Sequence, residues 1–541
     1  MSITSLLGAR LGLEELVDEV PDINPAALST DAEMVEMEKA HQEVNATEAK
    51  AIMLDTATDS LERIALALEK ISTPTISAES AALINLAYEN AMHPIARYES
   101  GDSAHGGQSQ GGNTTEKEKK SLMEKITEAW EAFVMMLTKI WDALSNFFLR
   151  LFSTAGMMRR KAEALLKTAR SVKENAKATA FTMNVNELQV DGKVLTPDET
   201  ARQVKQISKL FYNVLVGKDS LMSGSFIKEY KKEVEKIAKP VPRDATFDTH
   251  GDKDAHFFAM RDVENLRLML ATSVAKAAKA GGIGKIDTGA ISKQYSESST
   301  VRISDDTLFG DKVFVFISSP GEKSQENKHA QFTKWLRTLK FDVASTESPK
   351  LERVEVEPLS ISNIADILGE VINICQDVEI YKKQWFVAKQ TSNELNKLLL
   401  DYIRKNVKGV YLTEEERKKT QEWTERKNKG ENIPLWETLS FAFKLDYIKA
   451  QVSILKSTQT AVTTFSNFEG KVSKMAMRNS HALITYSQKS LNAHIGNPND
   501  DFEAGPNATK NSKDYQEHER AAPGSKGFTS SRDDIDDAVL V

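Results

Sequence analysis

Residues 117–173 read KEKKSLMEKITEAWEAFVMMLTKIWDALSNFFLRLFSTAGMMRRKAEALLKTARSVK. Large apolar residues fall at Ile126, Trp130, Phe133, Val134, Leu137, Ile140, Trp141, Leu144, Phe147, Phe148, Leu151 and Phe152. Steps of three and four residues put them on one broad face of a helix, because side chains three and four apart stack along the same side. Glu131, Lys139, Asp142, Ser145 and Arg150 fall off that face. A stripe this rich in Trp and Phe must be buried against something. The rest of the chain, other copies and a membrane surface are the candidates. Within it, Trp130, Phe133, Leu137, Trp141, Leu144, Phe148 and Phe152 are the residues expected to pack a helical bundle.

The partners for that stripe lie C-terminal to it. From Ser360, where Ser360-Ile361-Ser362 offers a cap, a helical pattern continues to Lys405. A capping-box signal at Thr413-Glu414-Glu415-Glu416 opens a polar helix ending near Gly430. Pro434 opens a long helix to about Ala493, with Gly470 its one interior breaker. These helices predict an antiparallel bundle with the 117–173 helix. Between them, residues 176–359 read as a small α+β unit. Phe181–Leu195 partly alternates, and its Asp191-Gly192 marks a hairpin turn. Val301–Ser304, Lys312–Ser318 and Arg353–Glu357 read as strands of one antiparallel or mixed sheet.

On the N-terminal side, residues 99–116 are a Gly/Ser-rich linker. Residues 1–98 form an acidic helical segment in which Met37, Val44, Ala51, Leu54, Leu61, Ile64, Ala65 and Leu68 make only a thin apolar stripe. The segment is therefore expected to contribute little core. The aromatic helix occupies 117–175, the long-helix bundle 360–495, and a polar tail, disordered by composition, 496–541. The fold class that follows is mainly α: a long-helix bundle with an inserted α+β domain.

Charge is unevenly spread along the 541 residues. Residues 1–100 hold 18 Asp and Glu against 6 Lys and Arg, a net −12, so the total of −7 leaves +5 for the rest. One cysteine, Cys375, excludes an intramolecular disulfide and a multi-cysteine metal site, and its helical spacing with Val371 and Val378 assigns it to a core. The N-terminus has no basic leader. The most apolar window, Phe133–Phe152, is interrupted by Lys139, Asp142 and Arg150, short of the roughly 18 uncharged residues of a membrane span. Folding in a reducing cytoplasm is expected.

Patterns that resemble chemistry are weak. Asp248–His256 gathers Asp248, His250, Asp252, Asp254 and His256, the densest set of potential metal ligands, but in one short segment with no second cluster. Gly281-Gly282-Ile283-Gly284-Lys285 lacks the first glycine of a phosphate loop, and Ile286 stands where Ser or Thr would hold magnesium. It reads as a helix stop and linker. Gly107-Gln108-Ser109-Gln110-Gly111 matches a nucleophile elbow by letter only, inside the linker. No catalytic residue, cofactor site or metal site is assigned.

The succession of an acidic helical head, a Gly/Ser linker, KIWDALSNFFLRLF running into RRKAEALLKTAR, and then VEVEPLSISNIADILGEVINICQDVEIYKK and MAMRNSHALITYSQKSL resembles internal head proteins of giant tailed bacteriophages. The resemblance implies a non-enzymatic virion protein inside the head, made in the host bacterial cytoplasm. Its partners would be other head proteins and a head-maturation protease. It also implies non-specific contact with packaged DNA, ejection into the host as a further stage, and an N-terminal propeptide. The implied cleavage consensus, a small residue, any residue, then Glu, matches Ala46-Thr47-Glu48, Ser60-Leu61-Glu62, Ala67-Leu68-Glu69, Ser77-Ala78-Glu79 and Ala87-Tyr88-Glu89. Gly12-Leu13-Glu14 joins them if glycine counts. Sites inside stable helix resist proteases, so Ser77, Ala78 and Glu79, just after Pro74, are the preferred processing site.

Two other classes compete. One is a membrane-active protein using the Trp130–Phe152 stripe as an interfacial helix. The other is a metal-dependent hydrolase built on His250, Asp252, Asp254 and His256. Burial of the stripe within the chain separates the first from a bundle.

Overall fold

The computed structural model describes residues 30–70, 122–238, 260–295, 299–318, 328–407, 414–431 and 441–496. They all belong to the unit Met1–Asp500, one of two into which the chain divides. The main helices are α1 (Thr30–Lys70), α2 (Leu122–Ala169), α3 (Pro197–Leu215), α4 (Gly224–Ile237), α5 (Met260–Ala280), α6 (Lys328–Thr338), α7 (Ile361–Val407), α8 (Glu414–Asn428) and α9 (Phe441–Ile495). Among the described residues six strands lie between them: β1 (Phe181–Met183), β2 (Ile283–Ile286), β3 (Thr300–Ser304), β4 (Lys312–Ser318), β5 (Lys340–Ser345) and β6 (Val354–Val356).

The centre is α2, α7 and α9. Contacts between α2 and α7 run in opposite order along the two helices. Arg159 meets Glu379, Phe148 meets Tyr381 and Trp385, Thr138 meets Asn396, and Glu131 meets Arg404. The same holds for α7 and α9, where Tyr402 bonds Gln451 and Ser392 bonds Gln459. Thus α7 is antiparallel to both neighbours. α2 and α9 run parallel to each other, with Phe133 beneath Lys456 and Phe147 beside Gly470. Every residue of the expected packing stripe, Trp130, Phe133, Leu137, Trp141, Leu144, Phe148 and Phe152, is buried.

Local chemistry explains the element ends. Thr196 caps α3 in a reciprocal capping box with Glu199, and Pro197 sits at the first turn, where its missing N–H is not needed. Ser223 caps α4, and the Ser360 hydroxyl accepts from the Asn363 amide at the start of α7. Asp191 and Gly192 both adopt left-handed backbone (φ 53° and 70°), as a two-residue hairpin turn requires.

The β structure differs from the sequence expectation in two ways. It forms two antiparallel sheets, the pair β1–β6 and the meander β2-β3-β4-β5. Two strands were not anticipated. After Ala280 the left-handed Gly282 (φ 65°) ends α5, but residues 283–286 then pair with β3 instead of remaining linker. Residues 340–345 pair with β4. Their local pattern is short and interrupted by Lys340 and Asp342, so only the cross-strand partner makes them a strand. One face of the meander packs on α9 through Phe314, Phe341, Phe465 and Phe468, with ring centroids 5.3–5.9 Å apart. The other is a separate core of Val301, Ile303, Val313, Val315 and Ile317.

The largest departure concerns α1. The expectation that the acidic segment contributes little core is wrong for residues 30–60, because Met37, Ala40, Val44, Ala51 and Leu54 are buried against the bundle. The linker at 99–116, the processing triplet Ser77-Ala78-Glu79, the Asp248–His256 cluster and the tail lie outside the described residues.

Candidate functional site, an acidic helix on a basic track

α1 carries ten acidic and four basic residues over Thr30–Lys70. Its buried positions are His41 and the regularly spaced set Met37, Ala40, Val44, Thr47, Ala51, Leu54 and Thr58. The alternating three- and four-residue steps are those of a coiled-coil seam. The seam is thin because two of its members are threonines. Each satisfies its hydroxyl inside the helix: Thr47 Oγ1 donates to the Glu43 carbonyl at 2.8 Å, and Thr58 Oγ1 to the Leu54 carbonyl at 2.7 Å. Both hydroxyls are therefore bonded without a partner helix, and the apolar remainder meets α2. His41 lies over Phe147, ring centroids 5.2 Å apart.

The side of α1 next to this seam meets cations. Glu38 accepts from Lys474 Nζ (3.0 Å) and Arg478 (2.8 Å), both on α9. Asp55 pairs with Lys456 of α9 at 2.8 Å and with Arg337 of α6 at 3.3 Å. Arg337 also holds Asp59 in a two-pronged contact. Glu36 lies 3.5 Å from Arg150 of α2. Glu48 accepts from Thr464 Oγ1 at 3.3 Å and from the Asn467 amide. Lys456 is the extreme member: its side chain is only 2% exposed, and its ammonium lies 4.6 Å from the centroid of Phe133.

Burial works to raise the Asp55 carboxyl, but the charges of Lys456 and Arg337 outweigh it and hold the group below its usual value. Glu38 behaves alike: burial raises it, and Lys474 and Arg478 bring it down further. His41, buried and beside Lys474 and Lys471, is pushed down to about 3, so it is a neutral ring at physiological pH. Lys471 pairs with Asp342 of β5 at 2.7 Å, which ties the same track to the meander.

A second polar centre lies inside α9. Glu469 is fully buried. Its Oε1 accepts from Ser220 Oγ at 3.0 Å and from the Met222 amide at 3.1 Å, anchoring the turn between α3 and α4. Burial pushes its carboxyl up to about 8 against the opposing influence of Tyr381, Ser220 and Met222. It is therefore protonated at neutral pH. Next to it, Gly470 allows α9 to approach α2. A Cβ there would lie 3.1 Å from Phe147 Cε1 and 3.4 Å from Phe148 Cζ.

Among the described residues, no group of three or more His, Cys, Asp and Glu is placed to hold a metal. Cys375 is buried and its thiol is pushed up to about 12 by that burial, the state of a core residue and not of a nucleophile. Ile126–Ala169 is long and apolar enough by length and composition to cross a membrane, but its aromatic face is filled by α1, α7 and α9. The ion pairs of α1 were invisible as pairs in the sequence. Only the charge asymmetry between head and body hinted that acids and bases would meet.

Among the described residues, the distinctive site of this long-helix scaffold is a polyanionic helix held on a cationic track, a packing surface of the kind that structural proteins use. Residues 36–496 match the phiKZ-like phage internal head proteins, and the chain belongs to that family. It is accordingly a structural component of the virion, inside the phage head in association with other head components, and made in the cytoplasm of the host. No curated protein and no solved structure matches it.

Proposed function

We propose that this chain is a non-enzymatic internal head protein that enters the assembling head with α1 in place, and is then cut by a head-maturation protease between α1 and α2. The observation that carries the reading is the docking of α1 itself. Three of the consensus triplets, Ala46-Thr47-Glu48, Ser60-Leu61-Glu62 and Ala67-Leu68-Glu69, lie within helix. In the first, Thr47 is buried and its hydroxyl bonded. A protease needs an extended strand of substrate, so these are poor sites. Ser77-Ala78-Glu79 lies in the chain between α1, whose described span is Thr30–Lys70, and α2, which begins at Leu122, so cleavage there severs α1 whole.

Residues 1–79 carry 16 acidic and 5 basic residues, so their loss takes the net charge from −7 to +4. A cationic product is the better neighbour for packaged DNA, through sequence-independent phosphate contacts. Mass spectrometry of purified virions tests the reading. The expected N-terminus lies directly after Glu79, with peptides from residues 1–79 depleted. Recovery of those peptides in equal amount to peptides from α9 would remove it.

A further inference from the structure

We propose that α1 is an intramolecular stand-in for duplex DNA, and that its departure uncovers a phosphate-binding track on α9. The proposal rests on the processing reading above and goes further, naming what the vacated surface takes.

Four cations of the track are neutralised by α1 carboxylates: Lys456 by Asp55, Lys474 and Arg478 by Glu38, and Arg337 by Asp55 and Asp59. The carboxylates occupy positions that phosphate oxygens can occupy, since both are anionic acceptors for ammonium and guanidinium donors. Thr464 and Asn467, which now serve Glu48, are neutral donors of the kind that position DNA backbones. From Lys456 to Arg478 the track spans 22 residues of helix, about 33 Å at 1.5 Å per residue. That is close to one turn of duplex DNA, roughly 34 Å.

Lys456 adds the energetic argument. An ammonium buried against an apolar wall is costly, and an apolar residue of similar volume in place of such a pair is commonly no less stable. Its retention beneath α1 is explained if the cation has a second partner once α1 leaves. Arg478 also lies 3.5 Å from Glu187, and Lys471 keeps Asp342, so part of the track stays balanced by the bundle itself. The four cations released by α1 set the expected number of phosphate contacts.

The experiment uses the full chain with a site-specific protease sequence replacing Ser77-Ala78-Glu79 and a fluorophore near the N-terminus. Binding to a 20-base-pair duplex is measured before and after cutting, with circular dichroism at each step. The expected result is that the uncut chain binds weakly. The cut chain should bind at least tenfold more tightly at 50 mM salt, with DNA releasing the labelled α1 fragment. Four phosphate contacts predict a loss of roughly a hundredfold in affinity between 50 and 200 mM salt. The double variant K474Q/R478Q should lower the salt slope by about two and blunt the release.

The proposal is overturned by an α1 fragment that stays bound at saturating DNA, by a cut chain that binds no tighter than the uncut one, or by unfolding of the bundle when α1 leaves. Exchange of α1 between copies without DNA-driven release also overturns it, and assigns the track to chain–chain contact. Because the cut is engineered, the outcome does not depend on natural processing. Intact residues 1–79 in virions would sink the processing reading alone.

Discussion

Replacing Gly470 by alanine sets two effects of opposite sign against each other. Alanine in a helix interior is favoured over glycine by about 1 kcal/mol. The added methyl, however, would sit 3.1 Å from Phe147 Cε1 and 3.4 Å from Phe148 Cζ, below ordinary carbon–carbon contact at the first. Neither ring has room to swing. Phe147 is held between His41, at 5.2 Å, and Phe148, at 5.1 Å. Phe148 is in turn packed on Phe152, Tyr381 and Trp385 at 5.7, 5.6 and 4.8 Å. The strain must be taken up by separating α9 from α2, and overpacking of this kind costs about 1–3 kcal/mol. The net expectation is that Gly470→Ala destabilises by about 1 kcal/mol. Gly470→Val, with two more methyls and a poorer helix propensity, should cost about 3 kcal/mol or more. Urea unfolding of the full chain followed by tryptophan fluorescence measures both, since Trp141 and Trp385 are buried in the same bundle. Limited proteolysis should show α1 cut sooner in both variants, because Phe147 carries His41. If Gly470→Ala raises stability by the full propensity gain and valine is tolerated equally, the rings yield, and the glycine is not there to permit close approach.

Trp141→Ala, which truncates a fully buried side chain, should cost about 3–5 kcal/mol without lipid present; an unchanged unfolding midpoint would show that α2 does not depend on this core. Asp55→Asn leaves the buried Lys456 without its nearest anion and should cost about 3 kcal/mol, whereas the pair D55L/K456M should regain most of it in a double-mutant cycle. Equal losses in single and double variants would count against an ion pair. The Glu469 carboxyl is raised in the folded state, so its stabilising contribution is complete below the unfolded value near 4.5 and declines as pH rises through about 8. Unfolding midpoints between pH 5 and pH 9 should therefore fall in the native chain and fall less in Glu469→Gln; parallel curves would refute the raised carboxyl. On the acid side the sign reverses. His41 is lowered from 6.5, so docking of α1 should begin to weaken as pH falls below that value, and the depressed Asp55 and Glu38 should weaken it further below their ordinary 3.8 and 4.5, read as earlier proteolysis of α1.

The sequence by itself determined the helical scaffold. Its signals are local and periodic: the three-and-four spacing from Ile126 to Phe152, the cap at Ser360, and the Asp191-Gly192 turn each specify backbone within a few residues of themselves. Family membership was legible from the same succession of elements. The tertiary structure decided what those elements meet. Whether α1 floats or docks could not be read from a seam as thin as Met37, Ala40, Val44 and Thr47. Its position on the bundle is marked by carboxylates paired with cations more than 250 residues away, such as Asp55 with Lys456 and Asp59 with Arg337. Strand β5 likewise exists because β4 pairs with it, and Gly470, which alone reads as a helix breaker, becomes the point of closest approach to Phe147. Pairings between distant residues leave no period in the chain, so only the packed molecule can place them.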